Sequence, residues 1–224
     1  MTDYKPQVKK TTKYGLAHRL RHLYEGQTLV RILFNVELSK ETISGRVIDV
    51  GGGRNPDYFS YMTVVSGTMI EPLDGSISGI DFEKDPLPYG AQSVDTVVLC
   101  NVLEHIYNYA FLLSEIHTAL RPKGKIIGFV PFLVGYHADP HDYFRYTNEA
   151  LEKMLTEAGF SGIQIRSVGK GPFAVNFNNL VLSIPRFVRP FMYLPFALFD
   201  KLFLFLRPSA QKRYPLGFIF TAHA

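Results

Sequence analysis

The chain of 224 residues holds a single cysteine, Cys100. One thiol excludes an intramolecular disulfide framework and fits a reducing compartment. The first residues, Met1-Thr2-Asp3-Tyr4-Lys5, lack the apolar stretch of a secretory signal. Also missing is the uncharged apolar run of about 20 residues that a membrane-spanning helix needs. The most apolar segment, Ile184 to Leu206, is broken by Arg189, Pro190, Pro195, Asp200 and Lys201. A net charge of +4 is too small to argue for a nucleic-acid partner. The sequence has no internal repeat and no low-complexity tract. The expectation is a cytoplasmic protein, with contact at the inner membrane face left open. What is present suits a globular core: 46% hydrophobic and 20% charged residues, enough at this length for one domain with decorations.

The most informative stretch is Arg46-Val47-Ile48-Asp49-Val50-Gly51-Gly52-Gly53-Arg54-Asn55-Pro56-Asp57. A β-branched run ending in an acid and a glycine cluster reads as a buried strand that turns sharply, so that its backbone can lie against a ligand. Such turns usually face a nucleotide-like cofactor at the carboxyl ends of the strands. A dinucleotide fingerprint needs a third glycine where Pro56 stands, and the phosphate-loop pattern is absent. Asp49 beside the turn would repel a pyrophosphate but suits a cofactor that carries positive charge. S-adenosylmethionine, with a sulfonium and an ammonium group, is such a cofactor.

At this point the sequence resembles the class I S-adenosylmethionine-dependent methyltransferases. Val47-Ile48-Asp49-Val50-Gly51-Gly52-Gly53 is similar to the family's first motif. Glu71 follows Asp49 by 22 residues (71 − 49) and resembles the acid that accepts hydrogen bonds from both ribose hydroxyls. Asp74, three residues on, is the alternative. Ile80-Asp81-Phe82 resembles the adenine-edge segment. Asp95 to His105, with Asn101 at the strand end, resembles the fourth-strand motif, and Leu120-Arg121-Pro122-Lys123-Gly124-Lys125-Ile126-Ile127 the turn and strand that follow. The resemblance covers roughly residues 45 to 168, with five motifs in order. It implies a cofactor site of Asp49, Gly51, Gly52, Gly53, Glu71, Asp81, Phe82 and Asn101. Two departures are Asn55 for the third glycine of the first motif and Lys123 in a turn that usually reads Pro-Gly-Gly.

Between Arg46 and Val168 apolar runs alternate with helical stretches, the pattern of an α/β fold with a parallel sheet. Strands are predicted at 46–50, 67–71, 77–80, 94–100, 124–130 and 162–168, and a last one at 214–222. The resemblance implies a Rossmann-like, doubly wound, mostly parallel seven-stranded sheet whose last strand is antiparallel, between the fifth and sixth. Residues 14–38 read as helical, with Gly26 as the break. Asn108 to Leu120 reads as an amphipathic helix, and Thr147 caps a helix that closes at Gly159. The chain then divides into an N-terminal helical lid (1–44), a cofactor-binding core (45–170), an apolar helical insertion (171–213) and the last strand (214–224), all one domain. The first residues, 1–13, are polar and expected to be loosely ordered. Three readings of the insertion stay open: a lid packed on the core, a homodimer interface, or contact with a membrane surface.

Methyl transfer from a sulfonium asks the protein mainly to align an acceptor and exclude water. Residues 136 to 146 hold two histidines, two aspartates, three tyrosines and an arginine, dense for a connector. His141 or His137 is the candidate base and Arg145 a contact for an anion or carboxylate. Each has a plain structural rival: Asp139-Pro140 initiates a turn, and Arg145 pairs with Asp142 or Glu149. A metal held by His137, Asp139 and His141 is set aside because Pro140 interrupts the alternation, so no metal is expected. His105 reads as structural. The absence of an Asn/Asp-Pro-Pro-Tyr motif argues against DNA as substrate. The expected activity is methyl transfer to oxygen of a small-molecule, sugar or lipid-linked acceptor. A non-catalytic cofactor-binding assembly module is the rival, while Pro56 and the lack of a Tyr-x-x-x-Lys pair disfavour a nicotinamide-dependent reductase.

Overall fold

The computed structural model describes residues 14–53 and 56–224. The expectation for residues 1–13 and the departure at Asn55 lie outside them. Two helices come first, α1 (Leu16–Tyr24) and α2 (Leu29–Leu38), split at Gly26 as predicted. The Thr28 hydroxyl caps α2, accepting from the Arg31 N–H at 3.3 Å. Then follow β1 (Thr42–Ile43), β2 (Arg46–Val50), β3 (Thr63–Val64), β4 (Met69–Leu73), α3 (Gly75–Ser78), β5 (Val94–Cys100), α4 (Tyr109–Ala119), β6 (Leu120–Pro131), α5 (Asn148–Glu157) and β7 (Ser161–Val168). The chain ends with α6 (Pro172–Leu180), α7 (Arg189–Leu206) and β8 (Gly217–His223).

The main sheet runs β4-β2-β5-β6-β8-β7, with the first four parallel and β8 antiparallel to both neighbours. The last strand therefore lies where expected. The sheet has six strands rather than seven, because the predicted strand at 77–80 is instead the turn of α3 and the residues after it. The carboxylate of Asp74 accepts from the Ser76 N–H at 2.9 Å and winds the chain into that turn. Gly79, with φ of 72°, ends it in a left-handed conformation that a side chain resists. Local capping thus overrides a short apolar pattern.

Strand periodicity explains the two cores. Ile48, Val50, Val97, Leu99, Ile126, Val130, Phe218 and Phe220 face α4 and α5, where Leu112, Leu113, Ile116, Leu151 and Leu155 cover them. The alternate residues Val47, Val98, Cys100, Ile127, Phe129 and Ile219 face Phe34 and Leu38 of α2. Both faces are buried, which is why the strands read as unbroken apolar runs. A third cluster joins Leu23, Leu29 and Ile32 of the N-terminal helices to Phe177 and Tyr193 of the insertion. The N-terminal helices and the insertion thus form one helical layer.

That layer is inverted at α7. Its buried positions include Arg189, which donates to the carbonyls of Ile184 (2.9 Å) and Gly26 (2.8 Å). They also include Asp200, which accepts from the N–H groups of Phe173 and Ala174 at the start of α6. Its outward stripe is apolar: Phe191, Leu194, Leu198, Leu202 and Phe205, three or four residues apart. Among the described residues, no helix is long and apolar enough to cross a membrane.

Candidate active site

The carboxyl ends of β2, β5 and β6 open into a cavity of about 690 Å³. At one end the wall is backbone. Gly51 sits at φ of 75° and donates its N–H to the Leu73 carbonyl at 2.8 Å. A Cβ there would lie 2.6 Å from Val102 Cγ2, and one on Gly52 would lie 1.8 Å from Asp49 Oδ2. Asn101, with φ of 55°, follows β5 and joins this wall, with Cys100 beside it. Arg31 and Phe34 of α2 also line the cavity, and the Tyr58 hydroxyl lies 2.4 Å from where a Cβ on Gly52 would stand.

Asp49 lies behind the turn, fully buried. One oxygen accepts from the Tyr58 hydroxyl; the other, Oδ2, has no hydrogen-bond partner. Burial pushes its carboxyl up to about 7, and the hydrogen bond from Tyr58 only partly opposes this. A buried acid with an unpaired oxygen, behind a wall that admits no side chain, fits a cofactor carrying an ammonium group.

The other expected cofactor contacts are less concentrated. Gly53, φ of 66°, is open: its nearest neighbour to a Cβ would be Asp74 Oδ2 at 3.9 Å. Asp74 follows β4 directly, at the same sheet edge as Gly51. Glu71 lies inside β4 opposite Ile48, and Arg46 holds its carboxylate in a two-pronged ion pair at 2.7 and 3.1 Å. Of the two alternatives for the ribose acid, the geometry brings Asp74 to the turn. Asp81 accepts from the Glu83 N–H at 3.0 Å and pairs with Lys84, while Phe82 is buried in the same core as Val50 and Leu73.

At the other end the wall is side chains. The loop after β6 is tied to the turn Leu103–His105. Tyr143 N–H donates to the Glu104 carbonyl at 2.8 Å, the Tyr146 hydroxyl to the Leu103 carbonyl at 3.0 Å, and His105 Nδ1 to the His141 carbonyl. This brings His137 and His105 onto the cavity together, their ring centroids 5.4 Å apart. Each Nε2 stands 3.7 Å from Oε1 of the fully buried Glu104. That carboxylate holds the His137 pKa above its ordinary value, against the opposing effect of burial.

The three catalytic candidates separate here. His137 reaches the cavity. His141 offers its carbonyl to His105 and lays its ring against Tyr143, 5.2 Å between centroids. Arg145 is a clamp: its guanidinium donates to both oxygens of Asp142, at 2.5 and 2.6 Å, and to the carbonyls of Val134, Gly135 and Phe144. Arg145 pulls Asp142 down to about 2, so this guanidinium serves the loop rather than an anion. His105, read from sequence as structural, faces the cavity. Glu104 and Tyr58 were not singled out as site residues, and the one available signal was the Leu103-Glu104-His105 triplet.

A family model described as a methyltransferase domain matches residues 16–165. The chain belongs to that family: it is a class I S-adenosylmethionine-dependent methyltransferase, and S-adenosylmethionine is its cofactor. Solved structures share its fold. An S-adenosylmethionine-dependent methyltransferase from Mesorhizobium loti is 13% identical with a TM-score of 0.50, over 90% of this chain and 100% of that one. The phosphoethanolamine N-methyltransferase 2 of Haemonchus contortus, with phosphomonomethylethanolamine and S-adenosylhomocysteine, is 17% identical with a TM-score of 0.50, over 96% of this chain but 60% of that one. The CurJ carbon methyltransferase is 13% identical with a TM-score of 0.53, over 94% and 58%. The chain thus spans about three-fifths of the length of the last two. No curated protein sequence matches it.

Proposed function

We propose that this methyltransferase acts on an oxygen of a small-molecule, sugar or lipid-linked acceptor, within one domain that uses the whole chain. The observation that carries this reading is the cavity's polarity: a glycine wall at one end and two imidazoles backed by a buried carboxylate at the other. S-adenosylmethionine supplies a methyl group already activated on a sulfonium. The protein's part is alignment and proton removal. Gly51, Gly52 and Gly53 let backbone approach the cofactor, Asp49 balances its ammonium charge, and Asn101 borders the methyl end. Asp74 takes the ribose hydroxyls in preference to Glu71. Asp81 and Phe82 form the adenine edge, with Asp81 exchanging an exposed pair with Lys84, worth little in water, for the adenine amine. An acceptor hydroxyl between the two walls gives up its proton at the end that His137 and His105 line.

The acceptor is presented from an anionic lipid surface. Leu182, in the same insertion as α7, borders the cavity and is also 75% exposed. The reading is tested by isothermal titration with S-adenosylmethionine and S-adenosylhomocysteine, with NADH as control, followed by transfer of labelled methyl to hydroxyl-bearing lipids and sugars. Micromolar binding of the two sulfur compounds and transfer to oxygen is expected. Binding without transfer to any acceptor would favour an assembly module instead.

A further inference from the structure

We propose that Glu104, His105 and His137 form a site for one divalent transition-metal ion at the acceptor end of the cavity. The inference rests on the functional reading above and names what removes the acceptor's proton.

Among the described residues, these three bring a carboxylate oxygen and two imidazole nitrogens within 4.8 Å of one another. Glu104 is fully buried, yet neither of its carboxylate oxygens accepts a hydrogen bond. A buried charge in that state is costly unless a cation completes it. The two rings are oriented as ligands. His105 Nδ1 donates to the His141 carbonyl, which leaves the lone pair on Nε2. His137 Nδ1 lies 3.1 Å from the Gly135 carbonyl; the nearby Arg145 guanidinium, 3.3 Å away, is already committed to Asp142. Assigning the His137 proton to Nδ1 likewise leaves its Nε2 bare. Backbone carbonyls holding the far nitrogen of each ring are the usual support of metal-binding histidines.

The distances separate an ion from a shared proton. A charge-assisted hydrogen bond would draw nitrogen and oxygen to about 2.8 Å. Both nitrogens instead stand 3.7 Å from the same oxygen. Two bonds of about 2.1 Å at a near-tetrahedral angle span about 3.4 Å, so both separations are close to those of ligands on one centre. Two imidazoles and a carboxylate suit zinc, iron or another first-row ion, with further positions left for substrate. An ion held there would lower the pKa of an acceptor hydroxyl, so that at neutral pH its proton would leave to solvent and the oxygen would keep the electron pair.

The test uses the full chain, freed of metal with a chelator and titrated with Co²⁺ while its visible d–d bands are followed. One equivalent should bind, and Zn²⁺ should displace it. His137→Ala, in an exposed loop, should weaken binding by at least about tenfold, and Glu104→Gln should do the same if it folds. Absence of the bands, or equal binding by wild type and His137→Ala, overturns the proposal. Titration of the metal-free wild type with S-adenosylmethionine keeps the two readings apart: cobalt without cofactor binding sinks the functional reading alone, and the reverse sinks the metal site alone.

Discussion

The two ends of the cavity are built from different materials. One end is a wall of backbone: Gly51 and Gly52 leave no room for a Cβ, and Asn101 turns left-handed at the tip of the neighbouring strand. The other, where the proposed acceptor would lie, is a wall of side chains, Glu104, His105 and His137, gathered by hydrogen bonds between a loop and a turn far apart in sequence. A backbone wall constrains residue type directly, because only glycine tolerates both the conformation and the contact. A side-chain wall leaves composition free and depends on what the loop is tied to.

The largest effect expected of any single change comes at the backbone wall. Gly51→Val places a β-branched residue at φ of 75° with its Cβ 2.6 Å from Val102, a strain of about 1–3 kcal/mol from the conformation alone. S-adenosylmethionine binding should vanish by titration and the thermal midpoint should fall. Gly53→Ala sharpens the point. Its φ is 66°, but the nearest atom would be 3.9 Å away, so only the conformational cost of about 1 kcal/mol remains. Equal losses in the two variants would break the distinction between a wall and a mere turn.

The same contrast explains what could be read from the sequence. The strands at 46–50 and 94–100 match β2 and β5, because runs such as Val47-Ile48 and Thr96-Val97-Val98-Leu99 are apolar on both faces. The glycine turn announced itself by composition. Asp74 was visible only as an alternative to Glu71, since a three-residue offset along a strand changes which end a carboxylate reaches. The acceptor end was half legible. The density of polar residues at 136–146 marked the loop, but which histidine faces inward depends on Tyr143 and Tyr146 anchoring to Glu104 and Leu103. Arg145 had two readings in the sequence, an anion contact or a partner of Asp142 or Glu149, and only the fold shows its guanidinium paired with Asp142. The apolar insertion was visible as a segment, but not its inversion, because Arg189 and Asp200 look like surface residues until their backbone partners are known.

A smaller effect is expected from the buried charge behind the wall. Asp49 is held up to about 7 in the folded chain, while the unfolded chain releases that proton in the ordinary carboxylate range. The folded state thus binds the extra proton in between, and its stability falls as pH rises through that window, by at most about 1.4 kcal/mol per unit. Asp49→Asn removes the titration. Chemical denaturation of both proteins from about pH 5 to about pH 8 should show the wild type losing ground to the variant until about pH 7, and no further change beyond. A constant difference across the range would mean that Asp49 is already ionised and paired in the free protein, and the cofactor end would lose its demand for a cation.

The smallest effect on stability, and the one that decides how an acceptor arrives, is expected on α7. Phe191 and Phe205 are 74% and 80% exposed, so replacing both with serine should move the unfolding free energy by no more than about 0.5 kcal/mol each. An apolar stripe facing outward, above a buried arginine and aspartate, is the reverse of a helix that meets water. The exposed charges around it, Arg186, Lys201, Arg207, Lys212 and Arg213, are all cationic, and the one acid of the segment, Asp200, is buried. Two-fold pairing of this face would set like charges at its margins against each other, whereas an anionic lipid surface attracts each of them. The chain should therefore cosediment with vesicles rich in phosphatidylglycerol, less so at high salt and weakly with phosphatidylcholine alone. Phe191→Ser with Phe205→Ser should release it while the fold and cofactor affinity stay as they were. A chain that ignores both kinds of vesicle and elutes as a stable dimer, which the same double variant dissociates, would replace the lipid surface with a second copy of the chain.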